Sequence, residues 1–474
     1  MKHVWLSLAL ATAGVACAGG APPASSTPPV AVAAPRPSAS VAPPPVQSAS
    51  AERPLSQDQS QAIVDATLKQ VAAARMLQPT GPVRSEVIGR AELLERMKKE
   101  LAEDLEPELL EGSTELLFAL GAAGPDLDYL GSMLTLLGTQ LAGFYDPREK
   151  EMVLLDDLGM EAQQATLWHE LVHGLQDQHY DLKRLMKWQS GRGDALAAVQ
   201  ALAEGDATSA MMDLMFLPRG QTALDVPDGM LAGSLGIMEA MPEIASVPRI
   251  LKRSIVAPYV DGLGFVHARR RAGGWASVDA AWRDLPSTSE QILHPEKYAA
   301  HELAEVVPAP RPPPGGPDHA VYRDVLGEEA LRLAFEEWVP RVTAVEAAAG
   351  WGGDNVAVFA TGDRRAVALR LRYDDETHAK RGFEAIARGA LQPESDTPGS
   401  DKPPATVPAA RALAAVRKGS VCQMRNHRGP FAAVWHGRDL GVALGPYQRA
   451  GSATQSVSDC AAALSWAESI ARAR

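Results

Sequence analysis

This chain is short of cysteine, of concentrated positive charge and of long apolar runs, and each shortage closes off a class of function. Three cysteines in 474 residues cannot build a disulfide framework. Two of them, Cys422 and Cys460, lie near the C-terminus, where they form either one disulfide or two buried free thiols. The formal net charge is −12 with no long basic run. That argues against nucleic acid as a partner, because binding it needs a positive face. One local cluster, Arg269-Arg270-Arg271, stands beside Gly273-Gly274 and reads as a solvated helix end. Beyond the N-terminus no segment reaches about 18 unbroken apolar residues, so no membrane-spanning helix is expected. No internal repeat is evident. What is present is ordinary globular material, 46% hydrophobic and 22% charged, in a length that suits about two or three domains.

The N-terminus reads as an export signal. Lys2 and His3 make a short polar start, and Val4 to Ala16 is a run of apolar and small residues too short to cross a bilayer. Gly14-Val15-Ala16-Cys17 resembles a bacterial lipoprotein cleavage box, with Cys17 as the lipidated first residue of the mature protein. It departs from that pattern at Gly14, where an aliphatic residue is usual. Cleavage after Ala16-Cys17-Ala18 is the competing reading and would give a secreted protein. The resemblance implies a chain held to the membrane of a bacterial cell envelope by lipid rather than by a helix. Residues 18–54 are Ala, Pro, Ser and Val with little charge, a composition that makes a tether and no core.

From Leu55 the pattern is that of a folded α+β protein. Helical spacing runs from Gln57 to Met76, Ala91 to Leu105 and on to Leu120, then from Leu127 to Leu141. Val83 to Ile88 is extended, Gly143-Phe144-Tyr145-Asp146-Pro147 reads as a turn, and Met152-Val153-Leu154-Leu155 reads as a strand. The next helix carries Trp168-His169-Glu170-Leu171-Val172-His173, an H-E-x-x-H sequence. On a helix, His169 and His173 lie one turn apart and are able to grip one metal ion. Leu167, Trp168, Leu171, Val172 and Leu175 form the apolar arc of that helix. His169, Glu170, His173 and Asp177 form the opposite arc. A second helix, from about Ala195 to Phe216, is apolar nearly all round, yet holds Glu204 and Asp206 at its middle. A carboxylate there must be paired or bound to a cation.

A catalytic zinc takes three protein ligands and keeps one position for water. Two readings of the third ligand are open. His179 completes the spacing H-E-x-x-H-x-x-x-x-x-H of metzincins, but those enzymes need a glycine three residues after the second histidine, and Gln176 stands there. Without that turn the helix continues and carries His179 toward the apolar arc. Glu204 is the better candidate. His169, Glu170, His173 and Glu204, within about Phe144 to Phe216, resemble the gluzincin class of zincin metallopeptidases, in which a second helix lends a glutamate. Asp177 and Asp206 are possible partners that orient the histidines, although their spacing does not follow the thermolysin pattern. The strand-then-helix order is that of zincins, in which the strand lines the cleft and pairs with extended substrate. Glu204-Gly205-Asp206-Ala207 and the stretch Gln291 to Tyr298 also look like parts of a group of prokaryotic surface proteins of uncertain substrate.

The resemblance implies a Zn2+-dependent peptidase acting on a peptide or protein substrate, with Glu170 as general base and proton shuttle. His294, Tyr298 and Tyr259 are the candidates for an oxyanion or proton donor. A non-catalytic zincin-fold lipoprotein that binds proteins or envelope components is the alternative. The expected layout is a mainly helical zincin-like domain with a small sheet over 55–306. A Pro/Gly-rich linker at 307–318 and a smaller α+β domain over 319–474 complete it. In the latter, His378, His427 and His436 are scattered and no catalytic constellation appears, so a role in binding substrate, capping the cleft or contacting partners is expected.

Overall fold

Helix α1 (Gln57–Arg75) starts where Ser56 closes a capping box. Its hydroxyl accepts from the Gln59 N–H, and the Gln59 side chain accepts from the Ser56 N–H. Val64, Leu68 and Val71 recur at helical spacing along its buried face. The computed structural model describes residues 56–473 except 105, 141–142, 158–159, 228–240 and 395–406. The expected signal at 1–17, the tether at 18–54 and the lipidation site Cys17 thus lie outside the described residues. No helix among the described residues is long and apolar enough to cross a membrane.

Strands β1 (Arg84–Ile88), β2 (Gly143–Asp146) and β3 (Glu151–Leu155) form a small sheet in the order β1-β3-β2. β1 runs parallel and β2 antiparallel to β3. Helices α2 (Arg90–Asp104), α3 (Pro107–Leu120) and α4 (Tyr129–Gln140) fill the connection from β1 to β2. Two expectations change here. The stretch from Gly143 is a strand and not a turn, because Phe144 and Tyr145 are both buried and pair with β3; the turn falls at 147–150. β3, the strand before the metal helix, is flanked on both sides and has no edge left for a substrate; β2 is the edge strand on that side.

Next come α5 (Met160–Tyr180), α6 (Leu182–Leu185), α7 (Gly193–Phe216) and α8 (Arg249–Arg283). Sequence signals give no reason to expect α8, since Pro258 and Gly273-Gly274 are breakers. Packing overrides them: Ile250, Val256, Tyr259, Leu263 and Val266 are buried, and helical geometry lapses only at Gly273 and Gly274. Arg270 is also buried. It donates to Ser209 and Asp213 of α7 at 2.7 Å each and lies 4.0 Å from the Trp275 ring centroid, so of the three arginines Arg271 is exposed while Arg270 departs from the solvated-end reading. α7 and α8 meet backbone to backbone. A Cβ on Gly262 would fall 1.8 Å from the Ala201 carbonyl oxygen, and one on Gly205 would fall 2.2 Å from the Gly262 carbonyl.

Short helices α9 (Ser289–Leu293) and α10 (Pro295–Ala299) lead to the large antiparallel sheet. Its strands are β4 (His319–Asp324), β5 (Trp351–Thr361), β6 (Arg364–Tyr373), β7 (Ser420–Gln423), β8 (Phe431–His436), β9 (Asp439–Ala450) and β10 (Ala453–Ser456). The order is β4-β5-β6-β9-β8-β7, with β10 paired to β9. Alternation along the strands gives the sheet two different faces. Val356, Val358, Val367, Leu369, Val442 and Leu444 point to one core. Their neighbours Ala357, Ala366, Ala368 and Ala443 point to the other, where α15 (Cys460–Ala471) lays Trp466 and Ile470 on the smaller side chains. The larger face is covered by α11 (Gly327–Glu336), α12 (Arg341–Ala348), α13 (Glu376–Leu391) and α14 (Ala409–Lys418), together with α3. A disulfide joins Cys422 on β7 to Cys460 at the start of α15, with an S–S distance of 2.08 Å.

The architecture is α+β, helical first and sheet-rich after. The linker at 307–318 is irregular apart from a turn, but packing crosses it freely. Phe118 and Leu120 of α3 share one core with Trp338, Phe431 and Tyr447. Arg428 donates to the carbonyls of Phe118 and Ala123 at 2.8 and 3.2 Å. Arg425 donates to Ala119 and Gly389 at 3.3 and 3.0 Å. Two guanidinium groups from the connection between β7 and β8 thus cap the carbonyl end of α3, the favourable end for a cation.

The same seam buries acids. Asp194 at the start of α7 accepts from the Ser289 N–H at 2.9 Å, and Asp354 accepts from the N–H groups of Leu326 and Gly327, both at 2.9 Å. Glu328, Glu329, Asp261, Arg332 and His294 stand around them. Burial is the main cause that lifts Asp194 to about 7, Asp354 to about 6 and, with Asp261 alongside, Glu329 to about 8. The folded state therefore favours the protonated acids. Their contribution is complete below the ordinary carboxyl range and is lost as pH rises through about 6 to 8. The melting temperature is expected to fall by several degrees as pH rises from the ordinary carboxyl range to about 8, and Asp194→Asn with Glu329→Gln to flatten the fall. A melting temperature that climbs with pH across the window would contradict this account.

Candidate metal centre

α5 is held by its apolar side. Leu167, Leu171, Val172 and Leu175 are buried in one cluster with Val64, Leu68 and Val71 of α1 and Leu202 and Ala203 of α7. The opposite side turns His169 and His173 inward, with their Nε2 atoms 3.2 Å apart. α7 brings Glu204 to them: its Oε2 lies 3.1 Å from His169 Nε2 and 3.5 Å from His173 Nε2. The donor atoms of the three residues all lie within 4.8 Å of one another. His169 is 2% exposed, His173 0% and Glu204 2%. Alanines at 201, 203, 207 and 210 let α7 come close enough for this, and Gly205 seats it against α8.

Glu170 sits between α5 and β2. Its Oε2 accepts from the backbone N–H of Tyr145 at 3.0 Å, and its Oε1 is buried with no protein partner. Burial pushes its carboxyl up to about 8, against the pull of His173 and of the Tyr145 N–H. In Glu204 burial is outweighed by His173 and His169, which bring its carboxyl down to about 2. His173 goes the other way: burial opposes its charge, but Glu204 carries it up to about 9. His169 is lowered by burial, despite its bond to Glu204 and with His173 adding to the shift.

The outer contacts sort the other sequence candidates. Tyr259 on α8 lies beside His169, rings stacked at 5.6 Å and 23°. Asp206 accepts from Trp282 Nε1 at 2.8 Å, from Arg75 Nε, and from Gln176 Nε2 at 3.2 Å. It reaches a histidine only through Gln176, whose Oε1 is 2.8 Å from His173 Nδ1. Asp177 orients no histidine: it accepts from the Tyr145 hydroxyl at 3.1 Å and the Leu182 N–H at 3.0 Å, so it steadies the strand that holds Glu170. His179 is not brought to the cluster. α5 runs unbroken to Tyr180, and His179 is exposed on it, bonded to the Gln78 carbonyl at 2.7 Å instead of entering the apolar arc. His294 is committed to Glu328 at 3.0 Å, and Tyr298 donates to the Asp284 carbonyl at 2.8 Å; neither is brought to the cluster as a donor.

Gln176 is the residue that sequence reasoning overlooks, because position 176 draws attention only as a missing glycine. Its signal was available: it lies three residues after His173, hence on the same helical face.

A domain of unknown function (DUF8575) matches residues 317–432. No curated protein matches the chain, and no solved structure does. The matched segment belongs to the large-sheet half and contains none of His169, Glu170, His173 and Glu204.

Proposed function

We propose that this chain is a zinc-dependent peptidase of gluzincin type, hydrolysing peptide bonds in a peptide or protein substrate. On this reading it works at a bacterial cell envelope, held there by lipid on Cys17. The observation that carries the catalytic part is the placing of Glu170: one carboxyl oxygen fixed by the Tyr145 N–H, the other buried and unpartnered, next to a His-His-Glu cluster.

The donor set suits zinc. Two imidazoles and one carboxylate are the ligands of a catalytic site with an open position. Zinc in that position supplies Lewis acidity, polarising a carbonyl and making water a nucleophile at neutral pH. The protein does the rest. His169, His173 and Glu204 hold three directions fixed because each stands on a packed helix. Glu170 Oε2 keeps its bond to β2, so Oε1 is the atom that takes the proton from water and returns it to the leaving amine. The low-dielectric surroundings raise the proton affinity of Glu170 toward neutrality, where a base and acid in one group is most effective. A scaffold that only binds has no need of this arrangement, and Glu170 is the residue that separates the two readings.

Metal analysis of the purified mature protein tests the ligand set. One zinc per chain is expected, lost in His173→Ala and Glu204→Ala and kept in His179→Ala. Full zinc in Glu204→Ala with loss in His179→Ala would reverse the assignment. Iron in place of zinc would count against peptide hydrolysis, since two histidines and a carboxylate also suit non-haem iron.

A further inference from the structure

The amide of Gln176 joins α5 to α7, and its two ends are not interchangeable. The NH2 end has only hydrogens to give and the carbonyl end can only accept. Nε2 lies 3.1 Å from the Ala203 carbonyl oxygen and 3.2 Å from Asp206 Oδ2. The carbonyl can do nothing but accept. Asp206 already accepts from Trp282 Nε1 at 2.8 Å and from Arg75 Nε, and it faces Gln176 as an acceptor too. Arg75 is in turn bound to Asp279 at 2.7 Å and stacked over Trp275 with its guanidinium carbon 4.5 Å from the ring centroid. The polarity of the chain is therefore fixed from its outer end: Arg75 and Trp282 donate to Asp206, and Gln176 donates to Asp206 and Ala203. The amide oxygen is left pointing at His173 Nδ1, 2.8 Å away. An oxygen there requires the hydrogen to be on Nδ1.

We infer that Gln176 is a positioning residue for the metal centre, setting both the ring plane of His173 and the nitrogen that carries its proton. With Nδ1 occupied by hydrogen, the lone pair of the neutral ring is on Nε2, which faces His169 and Glu204. That is the form a metal ligand needs, and the partner of the far ring nitrogen is what selects it. Asp206 acts one step further out by holding the amide the right way round. The inference rests on the metal-centre reading above, but its local content, a proton held on Nδ1 by an amide oxygen, is independent of any ion.

Two measurements on wild type, Gln176→Met and Gln176→Glu test it. The first is zinc affinity by chelator competition. Gln176→Met fills the same space without an acceptor, and is expected to bind zinc about 10- to 100-fold more weakly. Gln176→Glu keeps an oxygen toward Nδ1 and, with its other oxygen protonated so that it still donates to Asp206 or Ala203, is expected to recover most of that loss. The second is the ring N–H resonance of His173 in the metal-free protein, which is expected to be protected from exchange in wild type and Gln176→Glu and to broaden away in Gln176→Met. Thermal melts confirm that each variant is folded. Equal zinc affinity in wild type and Gln176→Met, an unchanged ring N–H, or failure of Gln176→Glu to recover binding overturns the inference. A wild-type chain that takes up no zinc, with the ring N–H still lost in Gln176→Met, overturns the zinc reading and leaves the positioning role standing.

Discussion

Glu170→Gln is expected to lower peptide hydrolysis by about 100- to 10,000-fold, the usual contribution of a positioned general base, while zinc content stays at the wild-type level. The separation of the two readouts follows from the geometry. A glutamine at 170 keeps a carbonyl oxygen for the Tyr145 N–H, so the side chain remains where it is. The atom that replaces Oε1 cannot accept a proton from water. Nothing in the ligand trio changes, because His169, His173 and Glu204 do not depend on Glu170 for their positions. Stability is expected to hold or improve, since a buried acid with one unpartnered oxygen is replaced by a neutral amide. Turnover of a peptide library by purified wild type and variant, with metal content measured on the same samples, decides the matter. Undiminished activity in Glu170→Gln would sink the proposed mechanism.

The second large effect is structural and comes from a residue with no side chain. Gly262→Ala adds one carbon where the Ala201 carbonyl oxygen is 1.8 Å away. The obstacle is backbone, so no rotamer relieves it and α7 must move off α8. We expect a loss of about 3 kcal/mol or more in urea unfolding, the upper range for overpacking. Zinc affinity is expected to fall with it, because Glu204 is next to Gly205 on the face that would shift. Gly264→Ala, two residues along the same helix, is the control. Nothing lies within 4 Å of its added Cβ, and the change is expected to be neutral or stabilising by up to about 1 kcal/mol. Equal stability of the two variants would show that the helix crossing is looser than the approach of Gly262 to the Ala201 carbonyl requires.

Much of the site was legible because it depends on one short period. The 3.6-residue repeat placed His169 and His173 together, and an acid in the middle of an apolar helix marked Glu204 as a group in need of a partner. What was not legible depends on contacts between distant segments. The course of α8 runs against its own breakers, Pro258 and Gly273-Gly274, and only the burial of Tyr259, Leu263 and Val266 explains it. The strand at Gly143 hides in turn-like composition because Gly143 is there for closeness: a Cβ would meet the Val153 carbonyl at 2.8 Å. The role of Gln176 follows from Ala203 and Asp206, on another helix. His179 shows the converse, a residue whose spacing was suggestive and whose place on an unbroken helix removes it from the site.

The two arginines that cap α3 bear on how this protein can be taken apart. Arg425 and Arg428 are buried, and their acceptors include Ala119, Phe118 and Ala123, all on the other side of the irregular segment at 307–318. Parting the two halves there would cost each guanidinium its acceptors on α3 and bare the carbonyl end of that helix, leaving Arg425 with Gly389 and Arg428 with Glu394. The two halves share one core, so each covers surface that the other would expose alone. A fragment of either half would leave the ribosome with an unmatched surface.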